Sequence, residues 1–171
     1  MLCIKPSIDD RDGENIIKSR IGLEMECLTI QPDDNIAGII DLYCTNMEAV
    51  GYPRPQWLLC DECQFFTEEQ IEQLATLVDN YDINVICYGL RNDFTGHLFP
   101  ATKRLFELAD NIEEMKLSCS CGRKAIMNAR LNEYGEVITK GEQIQVGGND
   151  MYKTMCRKCY NQLLSQQNFI E

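Results

Sequence analysis

The chain has 171 residues, 44% hydrophobic and 25% charged, and a net charge of −11. That is enough for one globular domain, or one with a small appendage, and no apolar run approaches membrane-span length. The charge counts against polymeric nucleic acid as a partner. Basic residues are scattered and cluster only as Lys103-Arg104, Arg123-Lys124 and Arg157-Lys158, whereas a nucleic-acid binder shows a basic face.

Met1-Leu2-Cys3-Ile4-Lys5 reads as a short buried strand stopped by Pro6. These first residues lack the basic n-region and long apolar h-region of a signal peptide, so a cytoplasmic location is expected. The ten cysteines then read as thiols, not disulfides. Residues 8–13 are polar and loop-like, and Glu26 to Ile30 reads as a second strand. Asp33 or Asp34 can cap a helix in which Ile36, Ile39, Ile40 and Tyr43 recur at helical spacing. Gly51-Tyr52-Pro53 ends that unit.

Trp57-Leu58-Leu59-Cys60 follows, an apolar strand ending abruptly in Asp61-Glu62. Open α/β sheets bind ligands beyond the carboxyl ends of their strands. A kinase needs a metal-holding Asp there, and often a second carboxylate as base. In extended chain the two acids would point to opposite sides. On these two residues alone, an ordinary polar strand end is an equal alternative. Cys60 and Cys63 flank them as C-x-x-C, but two intervening acids disfavour thiolates, and redox use is not expected.

Thr67 with Gln70 forms a capping box opening a helix with an apolar stripe of Ile71, Leu74, Ala75 and Val78. Asn84 to Gly89 reads as another strand. Pro100 suits the start of a helix carrying Leu105, Phe106 and Leu108, and Asn111 to Leu117 reads as a last strand. Strands alternating with helices predict an α/β fold with a parallel sheet and flanking helices.

The texture changes near Ser118. Residues 124–131 and 143–146 read as two strands, residues 147–150 as a turn, and Cys156 to Leu164 as a short helix before a polar tail. The expected division is a core over 1–117, a small subdomain over 118–160 and a tail over 161–171. Cys119-x-Cys121 and Cys156-x-x-Cys159 supply four thiols in two close pairs, the pattern of a closed structural zinc site. Such a site has no open coordination position and holds the fold without doing chemistry.

Five motifs occur in order: Asp61-Glu62-Cys63-Gln64-Phe65-Phe66, then Tyr88-Gly89-Leu90-Arg91-Asn92-Asp93-Phe94, then Cys119 to Ala125, then Val146 to Tyr152, and Cys156 to Tyr160. With Ile4 to Arg11 and Ser19 to Gly22 upstream, they resemble the zinc-containing thymidine kinase family from about residue 2 to about residue 160. The resemblance implies a RecA-like core with a zinc-binding β-ribbon, or lasso, subdomain. It implies transfer of the γ-phosphoryl group of ATP to the 5′-hydroxyl of thymidine, with magnesium, structural zinc and a homotetramer. By resemblance Glu62 is the general base and Asp61 the acid near magnesium. Asp61, Glu62, Cys63 and Gln64 border ATP. Phe65 and Phe94 pack on the nucleoside, Val146, Gly147, Gly148 and Tyr152 clamp the base, and Asp9 and Arg11 face the sugar and phosphates.

The family also carries a strand and a G-x-x-x-x-G-K-[ST] loop ahead of the strand matching residues 1–5. No glycine of the 171 residues is followed by lysine. The expectation is a core lacking its first strand and phosphate-cradling loop, with a gap or exposed edge beside Trp57 to Cys60 and severely weakened ATP binding. The alternatives are a non-catalytic zinc-ribbon binding module and a different RecA-like ATPase, whose box Asp-Glu-x-Gln resembles.

Overall fold

The computed structural model describes residues 1–143 and 152–167. The chain forms two compact units, residues 1–90 with 100–109 and residues 91–99 with 110–171.

The first unit is the expected α/β layer structure. Its four-stranded sheet has the order β4-β1-β5-β6, built from β1 (Leu2–Pro6), β4 (Leu28–Ile30), β5 (Trp57–Cys60) and β6 (Asn84–Cys87). All three pairings are parallel. The connections run through α1 (Ile36–Ala49) and α2 (Glu68–Tyr81), with α3 (Pro100–Leu108) completing the unit. Every residue of β1 is buried, as befits a central strand covered on both faces. Leu2, Ile4, Ile30, Leu58 and Cys60 from the strands pack with Ile36, Ile40 and Cys44 of α1 and Ile71, Leu74 and Leu77 of α2.

The capping box of α2 is present in both directions, Gln70 N–H to Thr67 Oγ1 and Thr67 N–H to Gln70 Oε1, each at 3.1 Å. Gln70 is buried because its amide nitrogen also donates to the Gln31 carbonyl at 2.7 Å. The cap of α1 is Asn35, whose Oδ1 accepts from Gly38 N–H at 2.8 Å. Asp34, an expected cap, instead accepts from Gln31 N–H. Leu77 takes the place expected for Val78 in the α2 stripe, and Val78 is exposed. On α3 the buried residues are Ala101 and Thr102, with Phe106 and Leu108 exposed.

The expected gap beside β5 does not occur. Leu2, Cys3 and Ile4 are in register with Leu58, Leu59 and Cys60 on one side, and residues Asn84 to Cys87 pair on the other. Both hydrogen-bonding edges of β5 are therefore filled. The segment before β4 also differs. Glu24–Glu26 is a separate strand, β3, paired antiparallel with β2 (Ile16–Lys18). Lys5 anchors the approach to this hairpin. Only 1% exposed, it donates to the carbonyls of Gly13 and Ile16, both at 2.8 Å.

The second unit is a set of short ribbons. β7 (Leu117–Ser118) pairs antiparallel with β8 (Lys124–Ala125), and β9 (Met127–Arg130) pairs antiparallel with β10 (Tyr152–Met155). α4 (Arg157–Gln167) follows. Cys119, Ala125, Met127, Ala129, Val137, Met155, Cys156 and Tyr160 form its core. The expected strand over 111–117 is reduced to the two residues of β7: residues 111–116 are exposed and have no strand partner among the described residues. The ribbon partner of β9 is β10; Gln143, expected in a strand, lies in a bend. Residues 144–146, the rest of that expected strand, lie outside the described residues. Among the described residues no helix is long and apolar enough to cross a membrane.

Candidate active site and metal centre

The chemistry of the first unit gathers where β5 ends. Asp61 N–H bonds to the Ile4 carbonyl and Cys63 N–H to the Tyr88 carbonyl, at 3.0 and 2.9 Å. The backbone must turn between these anchors, and it does so at Glu62, with φ 46° and ψ 37°. A non-glycine residue in this left-handed region is uncommon and concentrates at functional turns. The expectation that strand alternation would send the two acids to opposite sides is thus replaced: β5 stops at Cys60, and Glu62 leads a single 3₁₀ turn, Cys63–Phe65.

Both carboxylate oxygens of Glu62 are engaged. Oε1 accepts from Arg11 Nη2 at 2.6 Å, and Oε2 accepts from Gln64 Nε2 at 2.6 Å. Arg11 also pairs through Nε with the buried carboxylate of Asp9 at 2.5 Å. These contacts, Asp9 first, hold the guanidinium protonated well above its ordinary range. Asp61 lies at the same turn, its Oδ1 accepting from Glu62 N–H at 3.0 Å. Burial raises its carboxyl above the usual aspartate value, the Glu62 N–H working in the opposite direction. An acid so placed is more readily ionised beside a cation.

Gln64 is 2% exposed. Its Oε1 accepts from Leu90 N–H at 2.9 Å, and the Leu90 carbonyl accepts from Thr102 Oγ1 at 2.8 Å. One amide side chain thus joins the Glu62 carboxylate to the backbone just past β6. Gly89 makes room for it: a Cβ there would stand 2.6 Å from both Cys63 Sγ and Gln64 Oε1. The family resemblance assigned Gln64 to the border of an ATP site and did not show this double role. The Gly that follows a strand and precedes Leu90 was its only trace. Cys60 and Cys63 are buried thiols. Burial raises Cys60, and hydrogen bonding to Cys87 together with burial raises Cys63, with the acids contributing less.

In the second unit, Phe94 is 2% exposed and the Arg130 guanidinium lies 5.2 Å from its ring centroid, within cation–π range. Tyr152 is directly opposite Arg130 in the β9-β10 register. Asp93 organises the loop around Phe94, its Oδ1 accepting from Thr95 N–H, Thr95 Oγ1 and His97 N–H and its Oδ2 from Gln143 Nε2 at 2.8 Å. Burial alone would raise this carboxyl, but the hydrogen bonds outweigh it and its pKa is lowered. Val146, Gly147 and Gly148 lie outside the described residues. Asp9, Arg11, Asp61, Glu62, Cys63, Gln64 and Phe65 all belong to the first unit, and Phe94 and Tyr152 to the second.

The four cysteines singled out by spacing converge. The sulfurs of Cys119, Cys121, Cys156 and Cys159 all lie within 4.8 Å of one another, with Cys121 and Cys156 at 3.6 Å. A zinc ion with Zn–S of about 2.3 Å needs tetrahedral sulfurs about 3.8 Å apart, so the donor set fits that metal. The first pair sits in the tight turn of the β7-β8 ribbon, where Gly122 N–H returns to the Cys119 carbonyl at 2.8 Å and Gly122 adopts φ +81°, which favours glycine. The second pair straddles the start of α4. Cys159 N–H donates to Cys156 Sγ at 3.4 Å, and a helix N-terminus favours thiolate. Backbone hydrogen bonds from Cys121 and Cys156 bring Cys119 down to about 6.

A parallel α/β core that delivers two acids at a strand end is joined in one chain to a ribbon whose four cysteines fit a metal ion. The family profile described as thymidine kinase matches residues 1–160. The chain is similar to a Vibrio cholerae protein named thymidine kinase, 44% identical over 165 residues, covering 96% of this chain and 83% of the relative. A Shewanella oneidensis thymidine kinase is 41% identical, covering 95% of this chain and 82% of its own length. One from Rhodopirellula baltica is 39% identical, with 97% and 76% covered. The chain belongs to the thymidine kinase family.

Proposed function

We propose that this chain supplies the nucleoside-acceptor side of a thymidine kinase, which transfers the γ-phosphoryl group of ATP to the 5′-hydroxyl of thymidine. The observation that carries this reading is Glu62, held at a strand end by a bond to each carboxylate oxygen. A general base must be aimed before it can work. Arg11 and Gln64 fix the Glu62 carboxylate, and the incoming hydroxyl replaces one of these donors and gives its proton to the vacated oxygen. Arg11, anchored by Asp9, then faces the sugar and the phosphates, where a fixed guanidinium stabilises developing negative charge.

Asp61 would hold magnesium, which supplies charge neutralisation at the transferring phosphates when bound. Phe65 and Phe94 are assigned to the nucleoside, and Tyr152 with Val146, Gly147 and Gly148 to its base. Zinc held by the cysteine quartet has a structural task. A cytoplasmic location and a homotetramer belong to the same reading.

Phosphoryl transfer depends on positioning and charge stabilisation, and the 171 residues contain no G-x-x-x-x-G-K-[ST] sequence. The purified chain is therefore expected to bind thymidine, seen as a rise in melting temperature, without ATP-dependent phosphorylation above a Glu62→Gln control. Absence of thymidine binding overturns the acceptor assignment. Turnover well above the Glu62→Gln control overturns the inactivity of these residues by themselves. Tight polymer binding with a steep salt dependence would instead favour a zinc-ribbon module.

A further inference from the structure

The second unit contains a direct mechanical link between the cysteine quartet and the loop that carries Phe94. Cys156 and Cys159 bracket the first turn of α4, and Tyr160 is the next residue. Tyr160 is 6% exposed, and its hydroxyl donates to the Phe94 carbonyl at 3.1 Å in a buried bond between residues 66 apart. Its own N–H closes the turn on the Cys156 carbonyl at 3.0 Å.

The loop at the other end of this bond is tightly built. Asp93 N–H bonds to the His97 carbonyl at 2.8 Å and Gly96 N–H to the Asp93 carbonyl at 3.2 Å. Asn92 bridges to Leu98, and the Met127 Cε lies 3.1 Å from where a Cβ on Gly96 would stand. Asn128 Nδ2 also donates to the Asn92 carbonyl at 3.2 Å and Gln143 to Asp93, while the Tyr160 hydroxyl is the bond that ties the Phe94 backbone to α4. Helix ends fray. Two cysteine ligands on one turn of α4, closed on an ion with Cys119 and Cys121, remove that freedom.

We propose that Tyr160 is a positioning residue for nucleoside binding: it transmits the order of the metal-held first turn of α4 to the Phe94 loop. Zinc occupancy then raises nucleoside affinity although zinc touches no part of the nucleoside. The affinity half of this statement rests on the nucleoside contact assigned to Phe94. Such coupling is reciprocal, so thymidine must raise zinc affinity by the same factor.

The test compares the zinc-loaded chain with zinc-loaded Tyr160→Phe. The variant keeps the ring and removes only the hydroxyl. Amide hydrogen exchange at Asp93 and Gly96 is the primary measurement, since neither N–H bonds to Tyr160. The expected result is one zinc per chain in both proteins, with exchange at these two amides about tenfold faster in the variant, the scale of one buried hydrogen bond. Thymidine affinity falls roughly 3- to 10-fold on the same scale. Chelating the zinc weakens thymidine binding in the wild type by a similar factor and in Tyr160→Phe by no further factor. Wild-type exchange rates at Asp93 and Gly96 in the loaded variant overturn the proposal, as does an equal effect of chelation on the two proteins. Should neither protein bind thymidine, the nucleoside assignment fails and the affinity half falls with it. Exchange at Asp93 and Gly96, repeated after chelation, still decides whether Tyr160 transmits metal-site order to the loop: chelation should speed it in the wild type and not in Tyr160→Phe.

Discussion

Replacing Gly89 with Ala puts the packing beneath the candidate base to a direct test. The new Cβ would meet Cys63 Sγ and Gln64 Oε1 at 2.6 Å and the Gln64 backbone nitrogen at 3.2 Å. Neither side chain has room to retreat, because Cys63 and Gln64 are 3% and 2% exposed. Overpacking a close-packed site costs about 1–3 kcal/mol. Displacing the Gln64 amide also strips Leu90 N–H of its acceptor, which adds about 1 kcal/mol. The expected destabilisation of the first unit is therefore about 2–4 kcal/mol.

Trp57, the single tryptophan, lies on β5 in this unit, so urea unfolding followed by its fluorescence reports on the right part of the molecule. Gly38→Ala on α1 is the control. Its Cβ would come no closer than 3.5 Å to Asn35, and replacing a helix glycine by alanine is worth up to about 1 kcal/mol of stability, less in the first turn, where Gly38 lies. In a Cys63→Ala background the sulfur clash is gone, and Gly89→Ala should cost about 1 kcal/mol less than in the wild type. A Gly89→Ala midpoint within about 0.5 kcal/mol of the wild type, the range of an inconsequential substitution, would falsify the packing described at the β6 exit.

Asp61→Asn should stabilise the metal-free protein at neutral pH. Burial raises the folded-state pKa of Asp61, so ionisation opposes folding. The gain should shrink as pH falls through the raised value and vanish below the unfolded value of about 3.9; a constant gain across that window in pH-dependent unfolding would contradict it. Asp93→Asn should show the opposite sign. The lowered pKa of Asp93 contributes stability above about pH 3.9 that is lost as pH falls through the folded value, so thermal unfolding should separate wild type and variant only above that window. Lys5→Met leaves the Gly13 and Ile16 carbonyls without their donor. The loss should be about 1–3 kcal/mol, with faster amide exchange in β2 and β3 than in β5. Cys121→Ser replaces one sulfur of the quartet, and metal competition should show zinc affinity lowered at least tenfold, an outcome that unchanged affinity would refute.

Much of the first unit was legible because its signals are local. The Thr67 and Gln70 box and the alternation of apolar strands with helical stripes each depend on residues a few positions apart. The four cysteines were legible because a metal site writes its geometry into spacing. What escaped depends on distant partners. Asn35 caps α1 in preference to its acidic neighbours, and the Ile36 N–H beside it is taken by Gln73 of α2 at 2.6 Å. The filled edges of β5 follow from the sheet order, which spacing does not encode. The left-handed Glu62 was hidden because the run before it reads as continuous strand, and only the anchors at Ile4 and Tyr88 force the turn. Lys5 falls within a run that reads as a buried strand, and nothing local shows the two carbonyls that receive its ammonium. The pairing of β9 with β10 spans a long intervening segment, which local spacing does not reveal.

The chain passes between the two units three times, after Leu90, before Pro100 and after Ala109. The units are therefore interleaved, and neither is a contiguous cassette. A fragment beginning beyond α3 would carry all four cysteines and Tyr160. It would leave behind Phe94, whose carbonyl Tyr160 holds, and Asp93, which holds Gln143. Recombination at a single point beyond α3 would join the loop of one relative to the ribbon of another across both contacts. The loop and the ribbon are thus one folding unit, although α3 separates them in sequence.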